Sequence, residues 1–265
     1  MLSKRVASAV VLIPIVAIAV YYGGLWLFAL LLVAGLLAGY EYVKMVRLQG
    51  SSTSWVLTLL LIFFFLADAQ WPQLNLLRWG LLSVSLVALA VQVFHDNVPG
   101  SLASWALTVA GGIYIGFSLS YFIRLCAIEQ GMYWLILALL GTWICDSGAY
   151  FVGRSFGKRK LAPKISPKKT WEGAIGGFVT GILAVVLLGY FMLDVSMGYG
   201  FILGMFVVAA ATLGDLAESV IKRQVGVKDS GALIPGHGGM LDRIDSLLFV
   251  VPTVYCGAVI LSRLG

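Results

Sequence analysis

Two charged segments interrupt an otherwise apolar sequence, and they hold most of the residues that could do chemistry. Residues 154–172 contain seven basic side chains and one acidic one, whereas residues 217–245 mix carboxylates with Lys, Arg and Gly. Lys and Arg bind phosphate oxygens, and carboxylates bind hard divalent cations. The two segments together predict metal-assisted chemistry on phosphate-bearing substrates.

Three aspartates are candidate metal ligands. Asp242 and Asp245 are three residues apart, so on a helix their carboxylates would share one face. Asp215, at the end of an apolar run, could supply a third carboxylate from a facing helix. Mg²⁺ is commonly held by one or two carboxylates together with substrate phosphates. These three residues are therefore the candidate Mg²⁺ ligands.

The glycine-rich stretch before the last two aspartates could bind an anion. Gly236, Gly238 and Gly239 are expected to leave backbone N–H groups open at a helix N-terminus, which favours negative charge. A phosphomonoester is largely deprotonated at neutral pH, so a phosphate nucleophile needs no general base. His237 is therefore interpreted as a ligand contact or a residue that shapes the loop.

Asp146 lies within an apolar run, about eight residues before Arg154. A carboxylate inside a membrane helix is costly unless it faces a partner, a metal or a water-filled cavity; a carboxylate hydrogen-bonded to a neighbouring helix, or protonated, is the alternative. Thr170 and Glu172 precede the next apolar run, where they could cap its helix and oppose its dipole. The basic residues between could bind phosphate or only set the topology near anionic lipid.

The composition predicts a membrane protein. Of the 265 residues 60% are hydrophobic and 11% charged, whereas a soluble domain carries about a quarter charged residues. Because one bilayer span needs about 20 apolar residues, we expect an all-α polytopic protein of about nine transmembrane helices. The predicted spans are 5–22, 25–43, 55–70, 79–94, 103–122, 133–153, 173–193, 199–216 and 246–264.

The positions of the basic residues predict the orientation, because Lys and Arg are retained on the cytoplasmic side. A cytoplasmic N-terminus and an external C-terminus place all but three of the 18 Lys and Arg residues inside, the exceptions being Arg78, Arg124 and Arg263. The first run contains Ala17-Ile18-Ala19, which resembles a signal-peptidase site, so a cleaved signal peptide is the alternative to a first span.

Charge also predicts a functional division of the chain. Residues 1–130 have little chemistry, with Glu41 and Asp68 at span ends, and are interpreted as a scaffold of about five helices. Residues 131–265 are interpreted as the catalytic region, which contains both cytoplasmic charged segments.

The C-terminal motif resembles that of the phosphatidate cytidylyltransferase family, also called CDP-diacylglycerol synthases. The matching residues are Ser219, Lys222, Arg223, Lys228, Asp229, His237, Gly238, Gly239, Asp242, Arg243 and Asp245. The stretches WICDSGAYFVGRSFGK and KISPKKTWEG also look like the family's. The similarity covers about residues 141–246, and the apolar N-terminal half matches only by its pattern.

The resemblance implies a Mg²⁺-dependent reaction in which the phosphate of phosphatidic acid attacks the α-phosphorus of CTP, giving CDP-diacylglycerol and pyrophosphate. It implies that Asp215, Asp242 and Asp245 hold the metals, with K⁺ beside Mg²⁺, and that Lys222 and Arg223 act in catalysis. The implied substrate contacts are Asp146, Lys164, Ser166, Lys168, Lys169, Thr170, Glu172, Ser219, Lys228, Asp229, His237, Gly238, Gly239 and Arg243.

The resemblance further implies a homodimer in the bacterial inner membrane, and no nucleic-acid partner is expected. Two other classes remain. CDP-alcohol phosphotransferases and membrane sugar-phosphate transferases also use aspartates and Mg²⁺, but the first class carries a D-G-x-x-A-R motif that this sequence lacks. A transporter of anionic solutes usually has inverted repeats, whereas here the charged features lie in one half.

Overall fold

The computed structural model describes residues 2–94, 98–231 and 238–264. Eleven α-helices and one β-hairpin are formed within these ranges. The helices are α1 (Leu2–Tyr22), α2 (Gly24–Arg47), α3 (Trp55–Gln70), α4 (Leu76–Gln92), α5 (Val98–Gly112), α6 (Ser118–Cys126), α7 (Gly131–Phe156), α8 (Trp171–Leu193), α9 (Met197–Gln224), α10 (Leu241–Ile244) and α11 (Leu247–Leu264). The strands are β1 (Lys160–Ala162) and β2 (Ser166–Thr170).

The apolar runs form helices because backbone groups in lipid must be hydrogen-bonded within the chain. Six helical stretches among the described residues are long and apolar enough to cross a membrane: Gly24–Arg47, Pro99–Cys126, Gly131–Phe156, Trp171–Leu193, Met197–Gln224 and Leu241–Arg263. The second joins α5 to α6 through the π-helical residues Ile113–Phe117, and the last contains α10 and most of α11. Shorter apolar helices cover Ile13–Tyr22, Trp55–Gln70 and Leu76–Gln92. The chain is thus an all-α integral membrane protein; nine spans and the orientation stay predictions.

The first of two compact units comprises residues 1–124 and 224–244. Its helices approach closely where small residues face a neighbour: a Cβ added at Gly116 would lie 2.7 Å from the Cα of Ile62 in α3. Arg124 donates to Asp68 at 2.9 Å, which joins the C-terminal part of α6 to α3. A chain segment from the C-terminal half therefore packs with the N-terminal helices.

The second unit comprises residues 125–223 and 245–265. Its core includes Cys145 of α7, Ile182 of α8 and Val208 of α9. A Cβ at Gly173 would lie 2.8 Å from the carbonyl oxygen of Ala149, so glycine lets the backbones of α7 and α8 approach. The predicted functional division near residue 130 stays a prediction, because it concerns chemistry rather than packing.

The first charged segment is more ordered than a loop. Helix α7 continues to Phe156, the antiparallel pair β1–β2 follows with Lys160 opposite Thr170, and α8 begins at Trp171. The short hairpin turns the chain back toward the start of α8. It thereby fixes the basic residues of β2 beside the helix N-terminus.

Candidate active site

A cavity of about 380 Å³ lies in the second unit, walled by α7, α8, α9 and the hairpin. Its polar lining combines carboxylates, basic groups and hydroxyls, and small residues of α7 and α8 leave it room. The lining residues are Cys145, Asp146, Ala149, Tyr150, Gly153, Arg154, Leu161, Lys168, Lys169, Thr170, Gly173, Ala174, Gly177, Thr212 and Asp215. Asp146 therefore faces a cavity, one of the settings predicted for a carboxylate inside an apolar helix.

Hydrogen bonds at the start of α8 hold the hairpin in place. The Thr170 hydroxyl accepts from the N–H of Gly173 at 3.2 Å, which confirms the predicted helix cap. Glu172, in the first turn of α8, accepts from the backbone N–H groups of Lys158 and Arg159 at 3.0 and 3.2 Å. Its carboxylate thus fixes the approach to β1 rather than lining the cavity.

Lys169 and Asp215 form an ion pair across the cavity. The Nζ of Lys169 lies 2.7 Å from Oδ2 of Asp215, and both side chains are partly exposed, at 26% and 35%. Ser219, one turn further along α9, donates to Oδ1 of Asp215 at 3.4 Å. Asp215 is therefore oriented through both of its oxygens while it remains accessible from the cavity.

The positive charge of Lys169 attracts three carboxylates. Asp146 and Asp245 each lie close enough to Asp215 for electrostatic repulsion, and each is attracted by Lys169. Lys222 adds a second ammonium group near Asp245. The second unit thus gathers three acidic side chains and at least two cationic ones, with Asp245 outside the cavity lining but within electrostatic range of it.

A buried ion pair holds Lys222. Its ammonium group pairs with Glu218, one turn earlier on α9, and the Glu218 side chain is fully buried. Removing one partner of an ion pair with so little exposure is strongly destabilising. Glu218 therefore helps to hold the Lys222 ammonium group near Asp245.

Three further candidates lie in the hairpin and at the end of α9. Arg223 donates from Nε to the carbonyl oxygen of Ile165 at 3.0 Å, which ties α9 to the β1–β2 turn. Lys164 is exposed in that turn, and Ser166 begins β2 opposite Ala162. None of these side chains lines the cavity, so their substrate roles stay predictions.

Asp242 belongs to the first unit, where its carboxylate accepts from Ser230 and Gly239. Oδ2 lies 2.9 Å from the N–H of Ser230, 3.0 Å from the Ser230 hydroxyl and 2.9 Å from the N–H of Gly239. The Ser230 hydroxyl also lies 3.1 Å from Oε2 of Glu41 on α2. Oε2 of Glu41 in turn accepts from the N–H of Leu241 at 3.0 Å. Two acidic side chains thus share one hydroxyl.

This arrangement corrects two expectations. The N–H of Gly239 is not open for an anion, because it donates to Asp242. Asp242 and Asp245 do not share one helix face, since α10 ends at Ile244 and Asp245 lies in the turn before α11, accepting from the N–H of Ser246 at 2.6 Å. Because α10 ends before Asp245, the spacing of three residues does not place the two carboxylates on one helix face.

The remaining candidates fall outside these clusters. Lys228 and Asp229 are exposed after α9, and Arg243 is exposed on α10. Gly238 has a φ of +83°, a left-handed conformation that favours glycine. The candidate substrate contact His237, which precedes Gly238 in the sequence, lies outside the described residues.

Several residues of these clusters were not predicted as site residues. Arg154 donates to the hydroxyl of Tyr150 at 2.9 Å, and both line the cavity with Thr212. Glu41 was interpreted as scaffold, although it is 2% exposed within an apolar span. A buried acidic residue in a membrane helix is itself a functional signal, and it could have identified Glu41 from the sequence.

The carboxylates of the second unit offer the donor chemistry that Mg²⁺ prefers. Among residues 2–94, 98–231 and 238–264, no group of three or more His, Cys, Asp or Glu side chains is arranged as a complete metal site. Mg²⁺ commonly uses only one or two carboxylates and completes its shell with water and phosphate. Asp215 and Asp245 fit such a partial ligand set.

Comparison with known proteins identifies the family. Residues 3–261 match the cytidylyltransferase family. The chain is 34% identical over 259 residues to the phosphatidate cytidylyltransferase of Bacillus subtilis, covering 96% of each chain. It is 38% identical over 287 aligned positions to that of Haemophilus influenzae, covering 95% of this chain and 96% of the relative.

A third relative, the phosphatidate cytidylyltransferase of Staphylococcus epidermidis, is 35% identical over 253 residues. The match extends over nearly the whole chain, including the N-terminal helices whose sequence showed only an apolar pattern. The chain belongs to the cytidylyltransferase family. It is therefore a nucleotidyltransferase enzyme embedded in the membrane.

Proposed function

We propose that this enzyme transfers the cytidylyl group of CTP to phosphatidic acid, giving CDP-diacylglycerol and pyrophosphate. The observation that carries the proposal is the cavity of the second unit, where Asp146, Asp215 and Lys169 meet in a member of the cytidylyltransferase family. The named relatives are phosphatidate cytidylyltransferases. Both substrates are anionic, and the basic lining suits both.

The reaction joins two groups that repel each other. A phosphate oxygen of phosphatidic acid attacks the α-phosphorus of CTP, and the bond from that phosphorus to the oxygen bridging to the β-phosphate breaks as pyrophosphate leaves. Two unit charges 4 Å apart repel by about 4 kcal/mol at an effective dielectric constant of about 20. Lys168, Lys169 and Arg154 line the cavity, where they can bind and orient the phosphates.

We assign the carboxylates to cation binding. Asp215 and Asp245 would hold Mg²⁺, with K⁺ beside it, and Asp146 would add negative charge at the cavity wall. When bound, the divalent ion would neutralise phosphate oxygens of both substrates. Asp242, which the sequence motif assigns to the same metals, lies in the first unit and keeps that role as a prediction.

The membrane placement is also proposed. A cytoplasmic N-terminus, nine spans and an external C-terminus would put both charged segments at the cytoplasmic face of a bacterial inner membrane, where CTP is available. The distribution of Lys and Arg supports this orientation. A homodimer is proposed on the resemblance alone.

An assay of the purified protein tests the reaction. Phosphatidic acid, labelled CTP and Mg²⁺ should give CDP-lipid and pyrophosphate in equal amounts, and a chelator should stop turnover. Diacylglycerol, which lacks the attacking phosphate, serves as the control substrate and should give no product. Absence of pyrophosphate release with several acyl-chain lengths would contradict the proposal, and CMP release from a CDP-lipid and an alcohol would favour the phosphotransferase class.

A further inference from the structure

Glu41 is buried in the N-terminal helices, and its Oε2 forms hydrogen bonds with residues of the second charged segment. Oε2 accepts from the N–H of Leu241, 200 positions away, at 3.0 Å and lies 3.1 Å from the hydroxyl of Ser230. The side chain is 2% exposed. A buried acidic side chain in a membrane span needs partners, and these two are the donors it has found.

Two glycines lie close against the Glu41 carboxylate. A Cβ added at Gly231 would lie 2.5 Å from Oε1, and one at Gly239 would meet both the Ser230 hydroxyl oxygen and Oε2 of Glu41. Real Cβ atoms do not approach other atoms so closely, so a larger residue at either position would push the Glu41 carboxylate aside. The two glycines therefore leave the carboxylate where it accepts from the N–H of Leu241.

Ser230 couples Glu41 to Asp242. Its hydroxyl lies 3.1 Å from Oε2 of Glu41 and 3.0 Å from Oδ2 of Asp242, and a hydroxyl has one proton to donate. Whichever carboxylate it serves, Asp242 retains the N–H groups of Ser230 and Gly239, and Glu41 retains that of Leu241. The three side chains therefore form one connected network.

We propose that Glu41 of α2 is a positioning residue for the enzyme: by accepting hydrogen bonds through Oε2 it holds Ser230 and the start of α10, and with them Asp242, in place. The proposal rests on the proposed function and on the metal and substrate roles that the family resemblance implies for Asp242 and Arg243. Outer hydrogen bonds that orient a ligating carboxylate are known to matter nearly as much as the ligand itself. The N-terminal helices then contribute directly to catalysis rather than serving as scaffold alone.

The two carboxylate oxygens of Glu41 have different surroundings, so an amide and an apolar substitution should give different results. Oε1 of Glu41 has no hydrogen-bond partner among the described residues. Glu41→Gln can therefore keep its carbonyl oxygen at the Oε2 position and place the amide nitrogen where Oε1 lies. Glu41→Leu removes both acceptors at similar volume. Asp68→Asn, in a buried carboxylate of the same unit that pairs with Arg124, is the matched control.

Two measurements on the full-length protein in detergent are combined. Glu41→Leu should lower kcat for CDP-lipid formation by at least about tenfold, the scale seen when an orienting partner is removed, and should speed hydrogen exchange in the peptide covering residues 238–244. Glu41→Gln should retain most turnover and the parent exchange rate. Asp68→Asn should leave exchange in that peptide unchanged.

Each outcome decides the proposal. Unchanged hydrogen exchange in residues 238–244 of Glu41→Leu would overturn it. Turnover in Glu41→Gln as low as in Glu41→Leu, with hydrogen exchange as in the parent protein, would also overturn it, because the charge of Glu41 and not its hydrogen bonds would then support turnover. If Glu41→Leu does not fold, Ser230→Ala replaces it and should show the same pattern more weakly. If the parent protein makes no CDP-lipid, the proposed function fails, while the exchange comparison still tests Glu41.

Discussion

Acidic side chains are used in two different ways in the two units of this enzyme. In the first unit, Glu41 and Asp242 accept from backbone N–H groups and one serine hydroxyl. In the second, Asp146, Asp215 and Asp245 lie among ammonium groups, beside an accessible cavity. The hydrogen bonds of Glu41 need only an acceptor oxygen in the right place, whereas the second group needs negative charge. Asp242 combines such hydrogen bonds with its predicted role at the metals.

An amide substitution distinguishes these two uses of a carboxylate. Asn and Gln retain one acceptor oxygen but carry no charge. They should therefore be tolerated where a carboxylate only accepts hydrogen bonds, and they should be damaging where it balances cations. Substitutions in the second unit test this contrast.

Removal of charge from the cavity should have the largest effect. Asp215→Asn should lower kcat for CDP-lipid formation by about 10³-fold, equivalent to about 4 kcal/mol, because a preorganised charge at the reacting phosphates is lost. Asp245→Asn should behave similarly. Turnover is measured with phosphatidic acid, labelled CTP and Mg²⁺, and melting in detergent verifies that each variant is folded.

The matched control for these variants is Asp194→Asn. Asp194 is exposed at the C-terminal end of α8 with a φ of +53°, a conformation that Asn adopts readily. This substitution should leave turnover unchanged. Near-parent turnover in Asp215→Asn would mean that its oxygens, and not its charge, are what the cavity uses, and the contrast between the two units would be wrong.

The buried pair on α9 should give the next largest effect, on stability. Glu218→Leu removes the buried carboxylate that pairs with the poorly exposed ammonium group of Lys222, which should destabilise the fold by about 3 kcal/mol. Glu218→Gln should be intermediate. Exposed Glu129 provides the control Glu129→Leu, which should change the melting temperature little.

A melting temperature of Glu218→Leu equal to that of the parent would show that Lys222 finds compensation elsewhere. Such a result would mean that Glu218 is not needed to position the Lys222 ammonium group. Turnover of the same variant measured well below its melting temperature then separates placement from stability, since a misplaced ammonium lowers kcat even in folded protein.

The sequence predicted the helices and part of the site because their signals are local. Apolar runs of sufficient length specify the spans, and Thr170 with Glu172 specifies the start of α8. The β1–β2 hairpin was not predicted, since its strands have three and five residues and are mostly polar. Such strands lack the alternating apolar pattern of a longer strand.

The contacts of Glu41 lay beyond the reach of local patterns. Its partners Ser230 and Leu241 are 189 and 200 positions away, and no periodicity in the sequence joins them. The helix expected to align Asp242 with Asp245 likewise ended after four residues, and the partners that Asp242 accepts from, Ser230 and Gly239, lie before that helix. Residue types identified the chemistry, but only the fold shows which carboxylates serve which unit.

Lys169 should matter less than the carboxylate it pairs with. Lys169→Met removes a charged hydrogen bond of about 2 kcal/mol, so kcat/KM for CTP should fall by about thirtyfold. Lys160→Met, in an exposed residue of the same hairpin outside the cavity lining, is the control and should retain turnover. Equal losses in both variants would indicate that the basic residues act through their summed charge and not through the ion pair with Asp215.

The smallest effect is expected at Thr170, which belongs to the cavity wall but carries no charge. Thr170→Ala removes the hydroxyl that accepts from the N–H of Gly173 and should cost about 1 kcal/mol of stability. Thr170→Ser keeps the hydroxyl and should melt close to the parent. Turnover should fall in proportion to the loosening of α8, because the cap positions Lys169 next to it in the chain. If Thr170→Ser lost as much stability as Thr170→Ala, packing of the Thr170 methyl group near Gly157, and not the hydroxyl, would stabilise this helix start. The cavity wall would then be held by van der Waals packing rather than by a hydrogen bond.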